Sequence, residues 1–404
     1  MGYVAIKGGG QAIEGSKILF DYLRTRQPNK SDANQDAYTQ PLDTDTIEHQ
    51  LRLLHSRVIS EGGVYHPRLT SLAIKQAQGD TLEAAFILRA YRSTQARLIE
   101  TETLSSKSMR ITRRISAAFK DISGGQALGP TTDYHLRLMR MDLLDETPEQ
   151  FHEISKKWFE SNLNNNQDNQ PEKVIPDSFP KVLEELRAEG LLPEVDENNR
   201  LRKAFDITRE PLIFPVPRSA ALATMARAEQ GSLLAIAYSN MRGYGDVHPT
   251  VAELRVGYLP VMLAHPITGE ACEIGEVEIT ECEVVAMYDE QQNEDNNSVS
   301  DTQNDNKNKS TFTLGYGACF GHNEVKAISM AILDRAMQAG EKNGPRNPSE
   351  DAEFVLLHVD GIDSMGFCTH YKMPHYVTFQ SDMDRLRNTQ QKQQQKQKNE
   401  EQEI

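Results

Sequence analysis

The pattern of apolar and polar positions changes along the chain, and its first third has helical spacing. Apolar residues recur every three or four positions after Asp45 and again after Asp80. Each of these acids is followed three positions later by a glutamate, Glu48 or Glu83, which is the capping-box arrangement that begins a helix. Residues 110–120 also predict a helix, with arginines on one face and apolar residues on another.

The second half is dominated by segments that predict strands. Residues 252–263 and 275–288 are rich in β-branched side chains, and the apolar runs 232–239 and 354–360 are also predicted strands. Residues 323–339 predict a helix. This order predicts an α+β fold, in which a helical N-terminal part is followed by a mixed strand/helix part.

Low-complexity segments interrupt this pattern at four places: 27–44, 162–172, 289–311 and 387–404. Such Asn-, Gln- and Asp-rich segments cannot bury enough apolar area to offset their ordering entropy. The first three are predicted surface insertions, and the last is a predicted frayed or helical tail. We therefore predict three regions: a mainly helical region with Gly-rich loops (1–160), a mixed α/β region with candidate nucleotide and metal loops (173–386), and a Gln-rich flexible tail (387–404).

Composition narrows the class of protein. The 404 residues carry a formal charge of −15, which excludes a generally basic nucleic-acid-binding surface. No apolar run is long enough to span a membrane, and the first residues do not resemble a secretory segment. The four cysteines show no Cys-x-x-Cys spacing, so we expect neither a disulfide framework nor a zinc finger. We expect a cytoplasmic protein that binds neither membranes nor nucleic acid.

Glycine clusters and a short basic segment are candidates for binding phosphate groups. Glycine-rich loops can present backbone N–H groups to an anion, although ordinary turns give the same pattern. The basic segment contains no acid between Arg110 and Lys120, and it is either a polyanion pocket or a solvated helix face. The candidate nucleotide-binding residues are Lys7, Arg113, Arg114, Lys120, Gly124, Gly125, Arg242, Gly243, Tyr244 and Gly245.

His370 and His375 form a candidate metal site. Two imidazoles at this spacing can share a metal ion, but they cannot complete a tetrahedral site, and two unrelated loop histidines would give the same pattern. The remaining ligands would have to come from elsewhere in this chain or from another subunit.

Several segments resemble, in order and spacing, the I-subunit family of the bacterial carbon–phosphorus lyase core complex. The resemblance spans nearly the whole chain and skips the low-complexity insertions. The segments that carry it include SGGQALGP (123–130), RGYGDVHP (242–249), AILDRAM (331–337) and THYKMPHYVTFQ (369–380).

The resemblance implies a transferase of phosphonate breakdown. An alkylphosphonate would displace the purine of ATP or GTP at C1′ of the ribose, giving ribose 1-methylphosphonate 5-triphosphate, and the subunit alone would act as a nucleosidase. The implied partners are the G, H and J subunits and accessory, ATPase-like L and K subunits, with two copies of this chain per assembly. The resemblance also implies a zinc ion at a subunit interface, with His370 and His375 as ligands, and no cofactor held tightly by the chain alone.

Displacement at C1′ develops oxocarbenium-like charge, so it needs cations for the triphosphate, a carboxylate near the sugar and an acid for the purine. We predict Glu278 or Asp133 as the carboxylate and His248 as the acid. The acids of 275–288 either face water or, if buried, stabilise cationic charge. Two other functions stay open: a non-catalytic scaffold subunit of the complex, and a free-standing purine nucleosidase that acts on nucleoside triphosphates.

Overall fold

The computed structural model describes residues 9–25, 41–165, 179–193, 204–244, 248–288 and 310–402. Two predicted nucleotide-binding residues, Lys7 and Gly245, lie outside these described residues. So do most of the predicted insertions, namely residues 27–40, 166–172 and 289–309.

The first third is helical, as its spacing predicts. Its helices are α1 (Gly10–Thr25), α2 (Thr44–Gln50), α3 (Arg52–Gly62), α4 (Pro67–Gln76) and α5 (Thr81–Ser93). Asp80 caps α5 as predicted, since its carboxylate accepts a hydrogen bond from Glu83 N at 3.1 Å. The prediction for Asp45 was wrong by two residues, because Asp43 caps α2 instead. These helices bury a small apolar core of their own: Ile47, Val58, Ala73, Ile74, Ala84 and Leu88.

One four-stranded sheet forms the centre of the protein. Its strands are β1 (Arg110–Ile115), β2 (Thr250–Ala264), β3 (Ala271–Tyr288) and β4 (Phe312–Phe320). They pair in the order β1-β2-β3-β4, and every neighbouring pair is antiparallel. The predicted strands 252–263 and 275–288 are confirmed as β2 and β3.

Eight further α-helices lie in the described residues. They are α6 (Pro148–Asn165), α7 (Val182–Ala188), α8 (Arg218–Arg227), α9 (Gln230–Ser239), α10 (Glu324–Asn343), α11 (Ala352–His358), α12 (Gly361–Tyr371) and α13 (Tyr376–Gln402). The predicted helix 323–339 is confirmed as α10, and the α+β class is confirmed as well. Within the described ranges, none of the helices combines the length and the apolar character that crossing a membrane requires. The predicted Gln-rich tail belongs to α13 as far as Gln402.

The predicted helix at 110–120 was wrong. Residues Arg110–Ile115 form strand β1 and pair with β2. Ile and Thr in this segment suit a strand, and tertiary pairing decides between the two periodicities in so short a segment.

Two predicted strands were also wrong, because both are helices. Residues 232–239 lie in α9, whose N-terminus is capped by Glu229, and 354–360 lie largely in α11, which is capped by Asp351. A short apolar run is equally compatible with a buried strand and a buried helix, and here the capping acids decide.

Helix α10 packs on one face of the sheet through two glycines of β4. A Cβ at Gly315 would lie 2.0 Å from the carbonyl oxygen of Ala331, and one at Gly317 would lie 2.2 Å from that of Ala327. Glycine clusters usually indicate loops, but these two glycines lie within a strand, where the missing side chain lets a helix approach. The main apolar core fills this interface with Leu254, Cys282, Val284, Met330 and Leu333.

We expect Gly317→Ala to destabilise the protein by about 1–3 kcal/mol, because the new methyl group overlaps backbone atoms of α10. The matched control is Gly366→Ala, since a Cβ at this exposed helical glycine would have no other atom within 4 Å. The control should gain about 0.5–1 kcal/mol from helix propensity. Urea unfolding measures both, and equal effects would contradict the close-packing role of Gly317.

Candidate functional site

A cleft of about 750 Å³ opens where the helical part meets one end of the sheet. It is lined by the first turn of α3, by the loop after β1, by the start of α9 and by the junction between β4 and α10. Its lining residues are Arg52, Leu53, Leu54, Arg57, Pro130, Thr131, Thr132, Asp133, Arg137, Gln230, His322, Asn323, Glu324 and Val325.

The β4–α10 junction is held rigidly against α3. The side-chain amide of Asn323 donates to the carbonyls of Ser56 (2.8 Å) and Phe320 (2.6 Å). Gly321 has a φ of +74°, and a Cβ there would lie 2.7 Å from Ser56 Cβ. His322 therefore lies in the cleft wall between two fixed neighbours. Gly321 has a backbone conformation that favours glycine, and Asn323 is held by its hydrogen bonds.

His322 sits between an arginine and a glutamate in this wall. Arg52 Nη2 donates to His322 Nδ1 at 3.0 Å, and His322 Nε2 lies 2.8 Å from Glu324 Oε1. A guanidinium can only donate, so Nδ1 accepts and the ring proton lies on Nε2, which donates to Glu324. The geometry thus corresponds to the neutral Nε2–H tautomer of His322.

The chain of contacts extends beyond His322 in both directions. At one end Arg52 Nη1 lies 3.5 Å from Glu278 Oε1. At the other end Arg113 Nε lies 2.6 Å from Glu324 Oε1, and Arg113 Nη2 donates to Asp133 Oδ2. We call this set the ion-pair chain: Glu278, Arg52, His322, Glu324, Arg113 and Asp133. It brings together three of the predicted site residues, Glu278, Arg113 and Asp133.

Two helix N-termini also point into the cleft. Helices α3 and α10 both begin there, and neither N-cap residue, Leu51 or Asn323, accepts a hydrogen bond from the first turn through its side chain. The N–H groups of a helix's first turn and the helix dipole favour an anion at such a position. Arg52 and Arg137 also line the cleft, which therefore has the chemistry of a polyanion site. Arg57 lines it too, but its guanidinium pairs with Glu61 and Glu229.

Arg114 belongs to a different environment from Arg113, because consecutive strand residues point to opposite faces of a sheet. Its guanidinium is completely buried, lies 2.5 Å from Glu253 Oε1 and also donates to the carbonyls of Gly125 and Pro180. Gly124 and Gly125, with φ of +81° and +78°, turn the loop tightly around it. The loop thus presents carbonyls to an internal arginine.

The same face of the sheet buries further charges. Lys181 Nζ donates to Glu281 Oε1 (2.7 Å) and Glu283 Oε1 (3.0 Å). Burial raises the pKa of Glu283 to about 7, although Lys181 opposes the shift. Buried Arg255 lies 3.8 Å from Glu281 Oε2, beyond hydrogen-bond distance. Of the acids on β3, Glu278, Glu281 and Glu283 are buried, whereas Glu273 and Glu276 are exposed.

The remaining predicted residues lie away from the cleft. His248 is exposed just before β2, which begins at Thr250. Glu278 pairs with Tyr258, eight residues further along β2, so roughly 26 Å of strand separates it from Thr250.

Arg242 lies in the turn Asn240–Tyr244 and donates a hydrogen bond to the hydroxyl of Tyr238 in α9. This turn, which includes the predicted Gly243 and Tyr244, follows the end of α9, whereas the start of α9 lines the cleft. Lys120 is exposed in the loop after β1.

His370 and His375 are brought together at the end of α12. Their Nε2 atoms lie 3.3 Å apart, and the ring centroids are 5.0 Å apart. His375 Nδ1 lies 2.6 Å from the carbonyl oxygen of Met373, which it reaches as a donor, so its Nε2 is left with a free lone pair. The part of the chain that the structure describes contains no cluster of three or more His, Cys, Asp or Glu suited to a metal ion.

Sequence reasoning missed Arg52, His322 and Glu324. The signal that could have found His322 and Glu324 is FGHNE (320–324), in which a glycine, a histidine and an acid stand together between a strand and a helix. Arg52 carries no comparable signal, because one arginine in a surface helix is ordinary.

We expect Arg114→Met to destabilise the fold by about 3–5 kcal/mol, because it leaves the buried carboxylate of Glu253 without its charge partner. Arg110→Met is the matched control on the same strand. Arg110 and its partner Glu276 are both exposed, so the control should cost less than about 1 kcal/mol. Urea unfolding of both variants measures the difference. A small loss for Arg114→Met would show that Arg114 is available for another role.

Comparisons with known proteins agree with one another over nearly the whole chain. The family model "Bacterial phosphonate metabolism protein (PhnI)" matches residues 2–393. The chain is 64% identical over 392 residues to "Putative C-P lyase subunit protein HtxH" of Stutzerimonas stutzeri, with 97% of each chain covered. It is 39% identical over 394 residues to "Alpha-D-ribose 1-methylphosphonate 5-triphosphate synthase subunit PhnI" of Escherichia coli (strain K12), covering 97% of this chain and 99% of the relative. A protein of the same name from Rhizobium meliloti (strain 1021) is 36% identical over 387 residues, with 95% and 94% covered. The chain therefore belongs to the PhnI family of bacterial phosphonate metabolism proteins.

Proposed function

We propose that this chain is the nucleotide-handling catalytic subunit of a carbon–phosphorus lyase complex. In the proposed transferase reaction an alkylphosphonate displaces the purine of ATP or GTP at C1′ and gives ribose 1-methylphosphonate 5-triphosphate. The names of the relatives from E. coli and R. meliloti, which are synthase subunits, support this reaction. The observation that carries it is the cleft, in which arginines and two helix N-termini lie beside the carboxylates of Asp133 and Glu324.

The triphosphate is assigned to the positive side of the cleft. Arg52 and Arg137 line it, and a volume of about 750 Å³ lies in the range of ligand sites. Arg57 also lines it, but its guanidinium is already paired with Glu61 and Glu229. Arg113 is buried and paired at both ends, so we assign it to holding Glu324 and Asp133 in place. This assignment moves the phosphate clamp from β1 to α3 and to the loop after β1.

The carboxylates of the ion-pair chain are assigned to the sugar. As the bond from C1′ to the purine nitrogen breaks, positive charge develops on C1′ and the ring oxygen, and the electron pair leaves with the purine. Glu278, Asp133 and Glu324 supply fixed negative charge near this position. The phosphonate oxygen then forms the new bond to C1′.

A scaffold role is the second candidate, and one observation favours it. Helix α6 exposes a row of large apolar side chains, Phe151, Ile154, Trp158 and Phe159. Such a surface suits a partner protein. We propose the G, H and J subunits as stable partners, L and K as accessory ones, and two copies of this chain in the assembly.

Incubation of the purified chain with ATP should release adenine, and addition of partner subunits and methylphosphonate should replace release by phosphonate transfer. Arg137→Gln should weaken ATP binding by about 1.5–3 kcal/mol, because a charged hydrogen-bond donor is lost, and should leave adenosine binding unchanged. Arg140→Gln is the matched control in the same loop, since Arg140 pairs with Asp142 and does not line the cleft. Product chromatography and binding calorimetry provide the two readouts.

Each other outcome points to a different function. Partner association without turnover would support the scaffold, and turnover that is indifferent to partners and phosphonate would support a free-standing nucleosidase. Equal losses for ATP and adenosine in Arg137→Gln would contradict the assignment of the triphosphate to the cleft.

We further propose that His370 and His375 hold zinc at a subunit interface. Tetrahedral zinc with bonds of about 2.0–2.1 Å places two nitrogen ligands about 3.3–3.4 Å apart, and the two Nε2 atoms lie at 3.3 Å. Bound zinc would supply a structural tie between subunits, with its other ligands from a partner.

We expect the assembled complex to bind zinc firmly and the isolated chain to bind it weakly, because two ligands make a poor site. The double variant His370→Ala/His375→Ala should remove zinc from the complex and leave adenine release by the chain intact. His358→Ala, an exposed histidine of α11, is the control. Metal analysis beside the adenine assay measures both effects, and full zinc occupancy in the double variant would reject the ligand assignment.

A further inference from the structure

We propose that His322 is the acid that protonates the departing purine, and that it takes up its proton only when a triphosphate draws Arg52 away from it. This inference rests on the proposed function, because it places the triphosphate in the cleft. It replaces His248, which the register of β2 and β3 keeps far from the ion-pair chain.

In the structure, both ring nitrogens of His322 are engaged. Arg52 occupies the lone pair of Nδ1, and the Nε2 proton points to Glu324. A proton on Nδ1 would face the guanidinium protons, so the neutral ring is favoured as long as Arg52 stays. While the cleft holds no anion, His322 therefore lacks the proton on Nδ1 that it would give to the purine.

Arg52 is the cation of the ion-pair chain that a ligand in the cleft can reach. Its side chain is 41% exposed, and it contacts Glu278 over 3.5 Å and His322 over 3.0 Å. By contrast, the side chain of Arg113 is 1% exposed and contacts Glu324 and Asp133. A bound polyphosphate offers Arg52 a stronger partner than a neutral imidazole, because bidentate phosphate contacts are charge-assisted.

Movement of Arg52 toward the phosphate favours protonation of His322 at Nδ1. The lone pair becomes available, one positive charge moves away, and the phosphate brings negative charge into the cleft. Glu324, 2.8 Å from Nε2, then stabilises the imidazolium as its ion-pair partner. Arg113 is held by both Asp133 and Glu324 and so changes little on binding. Of the other cations that line the cleft, Arg57 stays paired with Glu61 and Glu229, and Arg137 is assigned to the phosphate.

The proton then follows a balanced route. Solvent supplies it to Nδ1, and the imidazolium transfers it to a ring nitrogen of the purine as the bond to C1′ breaks. The electron pair of that bond stays on the purine, which leaves as a neutral base, and the phosphonate oxygen bonds to C1′. His322 returns to its neutral form, and product departure lets Arg52 return to Nδ1.

The test is nitrogen NMR of the full chain labelled with ¹⁵N-histidine, in which the His322 signals are identified by their absence in His322→Gln. Without ligand at neutral pH, one ring nitrogen should appear protonated and the other bare. Saturation with inorganic triphosphate should give the two protonated nitrogens of an imidazolium. A ring that stays neutral at saturation, or that is an imidazolium before ligand is added, would overturn the proposal.

Activity supplies an independent readout. Gln can still bridge Arg52 and Glu324 but carries no titratable proton, so His322→Gln should lower the kcat of adenine release about 10²–10⁴-fold while the Kd for ATP stays within a few-fold. In the pH profile of kcat, the fall toward high pH that reports deprotonation of the acid should disappear. The control His358→Gln, on the exposed face of α11, should change neither quantity.

The outcomes separate this proposal from the proposed function. Adenine release that is unaffected in His322→Gln would reject His322 as the acid and leave the cleft assignment standing. Absence of triphosphate binding to the unmodified chain would overturn both.

Discussion

The contact between α10 and β4 is the constraint on which the rest of the structure depends. The backbone of α10 lies so close to the sheet that a side chain at position 315 or 317 would overlap it, and glycine occupies both positions. This contact fixes the start of the helix, and with it His322 and Glu324, at the edge of the cleft. Lys326, one turn further on, donates to Ser60 Oγ and to the carbonyl of Ala226, so the same helix also holds α3 and α8 in place.

The buried charges are arranged by the two faces of the sheet. Arg113 extends from the helix-covered face to the cleft, whereas Arg114 points to the opposite face and meets Glu253. An ion pair taken out of water gains little net stability, but a charge left without its partner is costly. The cluster around Glu281, Glu283 and Lys181 therefore makes this face intolerant of single changes. The cleft is different, because Arg52 and Arg137 there remain accessible to a ligand.

Much of the fold could be predicted from sequence, and the errors have a common physical cause. Strands 252–263 and 275–288 and the helix beginning near 323 are long enough for their periodicity to be decisive. Two of the misassigned segments, 232–239 and 354–360, are short apolar runs whose conformation depends on capping acids such as Glu229. In the third, 110–120, pairing with β2 overrides the helical spacing. Three of the predicted site residues, Glu278, Asp133 and Arg113, belong to one ion-pair chain, but the residues that join them come from distant segments.

The sequence by itself determined the family and the α+β class, because motifs and composition are local properties that survive without coordinates. Only the tertiary structure decided which charges meet. Arg52 and His322 are 270 positions apart and come within 3.0 Å because α3 packs on the β4–α10 junction. Whether an arginine is buried in a pair, like Arg114, or open to a ligand, like Arg137, depends on the faces that long-range strand pairing creates. No local pattern contains that information, because burial and charge pairing are properties of the assembled layers.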